Sequence, residues 1–215
     1  MCGRYVLYDL EALSASYPVP DEYELEPSYN VAPTQTMPVI TEDGMRMMRW
    51  GLIPKWAKDE KIGYRLINAR SETVFDKPIW KSVITKRRCL VPANGFYEWQ
   101  KRDDGKQPYY IYVKDQKLFM FAGVWETWLH ENREWHTYSV LTTVPNKEMS
   151  ELHDRMPVIL HADDHAQWLA ADRKDDIMPL LMPYEHDGLD MFEVSKDVNV
   201  TRTNDNRLIT PLNSK

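Results

Sequence analysis

Cysteine at position 2 puts two nucleophiles on one residue. Methionine is normally trimmed when the second residue is small, so the mature chain is expected to begin at Cys2 with a free α-amine. Such an amine titrates at about 7.7–8.0 against about 10.4 for lysine, so near neutral pH its nucleophilic fraction is larger by roughly two orders of magnitude. The amine and thiol together condense with an aldehyde, first to a Schiff base and then, by ring closure, to a thiazolidine. The second step is favoured because the thiol is already tethered. In an extended strand over residues 2–7, Cys2, Arg4 and Val6 share one face. A guanidinium there suits an anionic substrate such as phosphate. It also holds down the pKa of the neighbouring amine.

Other segments carry groups of matching chemistry. In Leu66–Glu72, a strand places Leu66, Asn68 and Arg70 on one face, where Asn68 can fix the amine and Arg70 a phosphate. The plainer reading is a strand end with solvated polar groups and Ser71 as a helix cap. Glu98 lies between Tyr97 and Trp99 after an Asn94-Gly95 turn signal. Desolvation among aromatics raises a carboxyl pKa and suits it to act as a general acid near neutrality; pairing with Lys101 or Arg102 is the alternative. His153, in a polar run ending at Pro157, can shuttle a proton, pair with Cys2, or serve as a structural hydrogen-bonding residue. Cys89 reads as a buried core thiol. His161 and His165 have the spacing of a zinc pair, but the two cysteines add no complementary ligands, so neither a metal nor another cofactor is expected.

Positioning these groups falls to a strand-rich chain. Short β-branched and aromatic runs recur at 3–7, 45–52, 64–70, 88–91, 95–100, 109–113, 118–124, 137–143, 158–160 and 191–194. Turn chemistry stands at Thr41–Gly44 and Asp103–Gly105. Helical stretches are expected at 10–17, 71–76, 163–171 and 174–181. The pattern predicts an α+β fold, mostly antiparallel strands with a few peripheral helices, in one domain spanning residues 1–215.

A chain of 215 residues buries roughly 70% of its surface on folding and needs no staples to do so. Two cysteines provide no disulfide framework. The 27 Lys+Arg against 33 Asp+Glu leave a net charge of -6, which excludes a histone-like polyanion binder and confines any nucleic-acid contact to a local patch. Trp50, Lys55, Trp56, Lys58, Lys61, Tyr64, Arg65 and Arg70, with Lys86–Arg88, form one candidate patch for bases and a single-strand backbone, although at least one of Trp50 and Trp56 is expected in the core. The acidic first thirty residues do not resemble a signal peptide. The longest apolar run, 118–125, falls far short of the ~20 residues needed to span a bilayer. A cytoplasmic protein without membrane contact is expected.

Several segments occur in the order of one known family: Met-Cys-Gly-Arg-Tyr at 1–5, Tyr-Asn-Val-Ala-Pro-Thr-Gln at 29–35, Trp-Gly-Leu-Ile-Pro-Lys-Trp-Ala at 50–57 and Ile-Asn-Ala-Arg-Ser-Glu-Thr at 67–73. Arg-Cys-Leu-Val-Pro-Ala-Asn-Gly-Phe-Tyr-Glu-Trp at 88–99, Phe-Ala-Gly-Val-Trp-Glu at 121–126 and His-Asp-Arg-Met-Pro-Val-Ile-Leu at 153–160 follow. Together they resemble the SRAP family, the SOS-response-associated peptidases that process abasic sites in DNA. The resemblance implies a pseudo-barrel with a positively lined cleft for single-stranded DNA containing abasic sites; a monomer with no obligate protein partner is expected. It implies Cys2 as the nucleophile, Asn68 positioning it, and Glu98 and His153 handling protons and the sugar. Arg4 and Arg70 would hold flanking phosphates, while Trp56 and Trp99 pack on bases. Stable cross-linking, strand cleavage by β-elimination and autocatalytic removal of Met1 are the implied activities. Two other readings remain: an N-terminal-nucleophile amidohydrolase, and a noncovalent single-strand binder.

Overall fold

A computed structural model describes residues 2–185 and 187–212. The strands, in chain order, are β1 (Tyr5–Leu7), β2 (Ser28–Val31), β3 (Thr36–Thr41), β4 (Gly44–Trp50), β5 (Asn68–Arg70) and β6 (Arg88–Ala93). They continue as β7 (Gly95–Arg102), β8 (Gly105–Val113), β9 (Phe119–His130), β10 (Arg133–Thr143), β11 (Met156–Pro157), β12 (Ile159–Leu160) and β13 (Leu189–Glu193). Among the helices, α1 (Leu10–Ser16) and α2 (Pro78–Ile84) are the longest α segments.

β3, β4, β10, β9 and β6 close into a barrel, because β10 pairs both with β4, in parallel, and with β9, while β6 joins β9 to β3. Closure leaves these strands without free edges. The interior is filled by rings meeting edge to face: Tyr5 lies 5.2 Å from Trp50 and 6.1 Å from Phe121, and Phe96 lies 5.8 Å from Phe121. The buried tyrosine hydroxyls of this core satisfy each other, Tyr5 and Tyr138 at 2.8 Å. The second sheet runs β13-β8-β7-β1-β2 and is antiparallel at each pairing. One of its faces carries Val6, Tyr97 and Tyr110, covered by Val198 and Leu208 from the C-terminal segment.

The expected turns at Gly44 and Gly105 close the β3–β4 and β7–β8 hairpins, with φ of 108° and 126° that favour glycine. Asn94-Gly95 is not a hairpin turn. It is the bend at which one run of chain leaves the barrel as β6 and enters the second sheet as β7. Gly95 is required there by space: a Cβ would lie far inside van der Waals contact with the Tyr110 ring. Strands β2 and β3 differ from expectation, because Pro27, Pro33 and Pro38 punctuate that stretch and Pro removes a ladder donor. The expected strand over 64–70 is instead a 3-10 helix, Glu60–Arg65, capped by the Asp59 carboxylate, followed by the three residues of β5. The stretches at 163–171 and 174–181 each divide into a short α-helix and a 3-10 turn.

Gly95→Ala should destabilise the protein by about 1–3 kcal/mol through overpacking against Tyr110, read as a lower urea midpoint at unchanged m-value. Retention of the wild-type midpoint would show that Tyr110 can yield.

Candidate active site

Cys2 and Arg4 precede β1 rather than belonging to it, and their side chains diverge. Cys2 is fully buried in the barrel core with Tyr5 and Leu7, whereas Val6 packs in the second cluster. The face expected to be shared by Cys2, Arg4 and Val6 is therefore broken at Cys2, which lies outside β1 and packs in the barrel core, while Arg4 and Val6 both turn toward Val198. Arg4 donates from one guanidinium nitrogen to Asn30 Oδ1 and to the Val198 carbonyl, both at 2.7 Å. Asn30 itself donates to the carbonyls of Val198, Val200 and Thr203. Arg4 thus anchors the C-terminal segment beside the site, and burial lowers its pKa from the usual guanidinium value.

Burial pushes the Cys2 thiol well above its ordinary pKa, and the nearby Glu98 charge adds to the effect. With the thiol protonated, the neutral sulfur fits the apolar barrel. Asn68, on β5, donates from Nδ2 to the Cys2 carbonyl at 2.8 Å. Its Oδ1 is buried and accepts no hydrogen bond among the described residues. β5 reaches this place because it adds in parallel to β10, pairing Asn68 with Val140. Trimming of Met1, expected from sequence, lies outside the described residues.

Glu98 comes up on β7, immediately past the bend at Asn94, and is 2% exposed. Desolvation raises its carboxyl pKa to about 7. It lines a cleft of about 410 Å³ with Trp99, Lys106, His153 and Asn199. His153 Nδ1 accepts from the Arg155 amide at 3.0 Å, which leaves Nε2 to carry the proton of a neutral ring. Burial lowers the His153 pKa, so the neutral form prevails near pH 7. The Asp154 carboxylate, 2.8 Å from Nδ1, is the partner an imidazolium would take.

The segment bearing His153 is held by a buried guanidinium that the sequence does not single out. Arg155 grips the Glu72 carboxylate with both nitrogens and donates to the Thr142 carbonyl at 2.6 Å. Arg155 holds the Glu72 carboxyl below its usual range. Lys106 is a second residue that sequence reasoning missed; the signal available was its place in the hairpin opposite the Glu98 strand.

The outer residues divide. Trp99 is half-buried, and its indole N–H donates to Asn199 Oδ1 at 2.8 Å. The Arg70 side chain is exposed at the end of β5, and its charge reaches the Glu72 carboxylate. Trp56 is 67% exposed and Trp50 fully buried, so the aromatic patch expected over 50–70 is split between surface and core. Trp56 lines a different crevice, with Pro54, Pro78 and Glu126. His161 and His165 turn to separate partners, Glu185 and Tyr17 respectively.

A small closed barrel, a second sheet, and a buried cysteine at position 2 within electrostatic reach of a buried acid characterise this chain. The chain belongs to the SOS response associated peptidase (SRAP) family, whose model matches residues 1–201. It is 42% identical to the abasic site processing protein YoqW of Bacillus subtilis, with 97% of this chain and 99% of that one covered. Identity to the abasic site processing protein YoaM of the same organism is 41%, with 97% of each chain covered. A crystal structure of a protein from Bacteroides thetaiotaomicron superposes with a TM-score of 0.90 at 30% identity, covering 98% of this chain and 99% of that one.

Because the Glu98 pKa is raised, the folded chain holds that proton more tightly than the unfolded one. Its contribution is greatest below the ordinary 4.5 and is lost as pH rises to about 7. At about 1.4 kcal/mol per pH unit, that interval corresponds to about 3 kcal/mol. The stability of wild type relative to Glu98→Gln should fall by about this amount between pH 4.5 and pH 7.5 in urea titrations. Parallel pH profiles for the two proteins would rule out the raised pKa.

Proposed function

We propose that this protein processes abasic sites in single-stranded DNA by forming a covalent thiazolidine link through the mature Cys2. The observation that carries this reading is the convergence on Cys2: Asn68 clamps its carbonyl, and the charge of the buried Glu98 reaches its thiol. While Met1 is attached, the Cys2 nitrogen is an amide and cannot add to a carbonyl. Hydrolysis of the Met1–Cys2 bond, with water as the second reactant, frees the amine. That amine adds to the aldehyde of the ring-opened sugar to give a carbinolamine. Glu98, protonated below about pH 7, gives its proton to the departing hydroxyl, and water leaves an imine. The sulfur then bonds to the imine carbon while the S–H proton passes to nitrogen, closing the five-membered ring. From the free amine onward, one water is lost.

The same imine supports strand cleavage, because it acidifies the adjacent sugar carbon. Glu98, left as a carboxylate once it has given its proton away, suits removal of that proton as the 3′ phosphate departs, and neutral His153, lining the same cleft, suits a hydrogen bond to the leaving oxygen. Arg70, with an exposed guanidinium, suits a flanking phosphate, and Trp99, fixed by Asn199, suits a base. Arg4 supports the site through Asn30 and the C-terminal segment, and its charge beside Cys2 suits a flanking phosphate. Trp56, on a neighbouring crevice, is assigned to bases further along the strand. In this reading, residues 1–215 act as one domain, as a monomer in the cytoplasm; no helix among the described residues is long and apolar enough to cross a membrane.

The test is a denaturing gel of the protein with a single-stranded oligonucleotide carrying one abasic site, with intact mass reporting loss of Met1. A shifted band that needs both Cys2 and the aldehyde is expected, absent with Cys2→Ala. No shift from a chain proven to start at Cys2 would sink the proposal and direct attention to glutamine amide hydrolysis. Glu98→Gln should slow adduct formation more than tenfold, a typical loss for a general acid, while a reduced, aldehyde-free abasic analogue still binds. Equal loss of both would make Glu98 structural.

A further inference from the structure

The β7–β8 hairpin places two lysines directly opposite each other, Lys101 facing Lys106. Like charges in that position repel and destabilise a hairpin. Both side chains are exposed, and neither has a carboxylate partner among the described residues. The third cation of the hairpin is engaged elsewhere: Arg102 is bound to Glu193, to Gln100 and to the Tyr109 hydroxyl. No ion pair among the described residues offsets the repulsion at 101/106, where the acids nearest along the hairpin are Asp103 and Asp104 of the turn, and Lys106 lines the cleft beside Glu98 and His153.

Side-chain alternation adds an aromatic to this pair. Trp99 and Lys101 are two residues apart on β7 and share a face; Trp99 is opposite Pro108, so Lys106 stands on its diagonal, about 7–8 Å away by strand geometry. The indole is held by Asn199, so its open ring surface is presented in a fixed orientation. A rigid aromatic plate followed by two ammonium groups is the pattern that tracks a single strand, base on the ring and phosphate on the cations.

We propose that Lys101 and Lys106 share a backbone phosphate of the DNA on one side of the abasic nucleotide, so that the β7–β8 hairpin is the track along which the flanking strand leaves the cleft. The proposal rests on abasic single-stranded DNA being the substrate. The bound phosphate relieves the lysine–lysine repulsion, which gives DNA on that side a gain in affinity that a net-acidic chain otherwise lacks.

The experiment uses the full chain, wild type and Lys101→Gln/Lys106→Gln, and an oligonucleotide bearing a reduced abasic analogue that cannot cross-link. Binding is measured across a salt series, with thermal melting to check the fold. The variant should bind several-fold more weakly at 0.1 M salt, and its salt slope should be smaller by about 0.7 for each phosphate that the protein no longer neutralises. Oligonucleotides trimmed on either side of the lesion separate a track from a general field: trimming one side, and only that side, should abolish the difference between variant and wild type. An unchanged slope, or a difference that survives both trims, overturns the proposal. Wild type that cross-links to aldehyde-bearing DNA while the slopes coincide would reject the hairpin track alone. Wild type that neither binds nor cross-links would reject the abasic-site reading and this proposal with it.

Discussion

The buried amide of Asn94 joins the two sheets, and the geometry of the site follows from it. Its Oδ1 accepts from the backbone of Tyr8 and Asp9, at 2.6 and 3.1 Å, while its Nδ2 donates to the Lys117 carbonyl. Its main chain adds two more bonds, to the Val6 carbonyl and from the Tyr110 hydroxyl. These bonds fix the end of β1, the loop before β9 and the ring over Gly95 at the point where the chain bends out of the barrel. A buried amide left unsatisfied costs about 1–3 kcal/mol per group, so the bend is confined to one geometry. Four residues further on stands Glu98. Cys2 is three residues before β1, which is anchored to the same bend. The nucleophile and the acid are thus positioned by one joint.

Burial gives that joint its chemistry. A carboxyl in water would be ionised throughout the neutral range; at 2% exposure Glu98 titrates near 7, where it can both give and regain a proton. The same apolar surroundings keep the Cys2 thiol protonated and the His153 ring neutral. One cause, loss of solvent, therefore sets three protonation states at the site. The polar groups around the site are oriented by paired partners: Arg4 by Asn30, Trp99 by Asn199, and the His153 segment by Arg155 on Glu72. Fixed orientation lowers the entropic cost of assembling a reactive geometry.

The acidic balance of the chain sharpens the role of the unpaired cations. Arg46, Arg87, Arg102 and Arg155 are all matched to carboxylates. Lys101 and Lys106 have no such match among the described residues. A net charge of -6 makes the surface as a whole unattractive to a polyanion, which leaves local clusters of positive charge as the places that a phosphate would contact.

Much of this is legible in the residue order. The amine–thiol pair of Cys2 is a property of position alone, and the aromatic neighbours of Glu98 mark it as a candidate for burial. Gly44 and Gly105 mark their hairpins because only local backbone conformation is at stake. Strand content and most strand positions follow from β-branched and aromatic runs. Only the tertiary structure decided what depends on partners distant in sequence. That Asn94-Gly95 is a crossing between sheets and not a turn is set by Tyr8, Asp9 and Lys117. That Arg4 is bound by Asn30 and Val198, that Arg155 holds Glu72, and that Trp50 is interior while Trp56 is exposed are likewise long-range facts. Residue order determines what a side chain can do and how its neighbours alternate; which distant groups share its surroundings is set by closure of the barrel, where burial and pairing are properties of the whole packed chain.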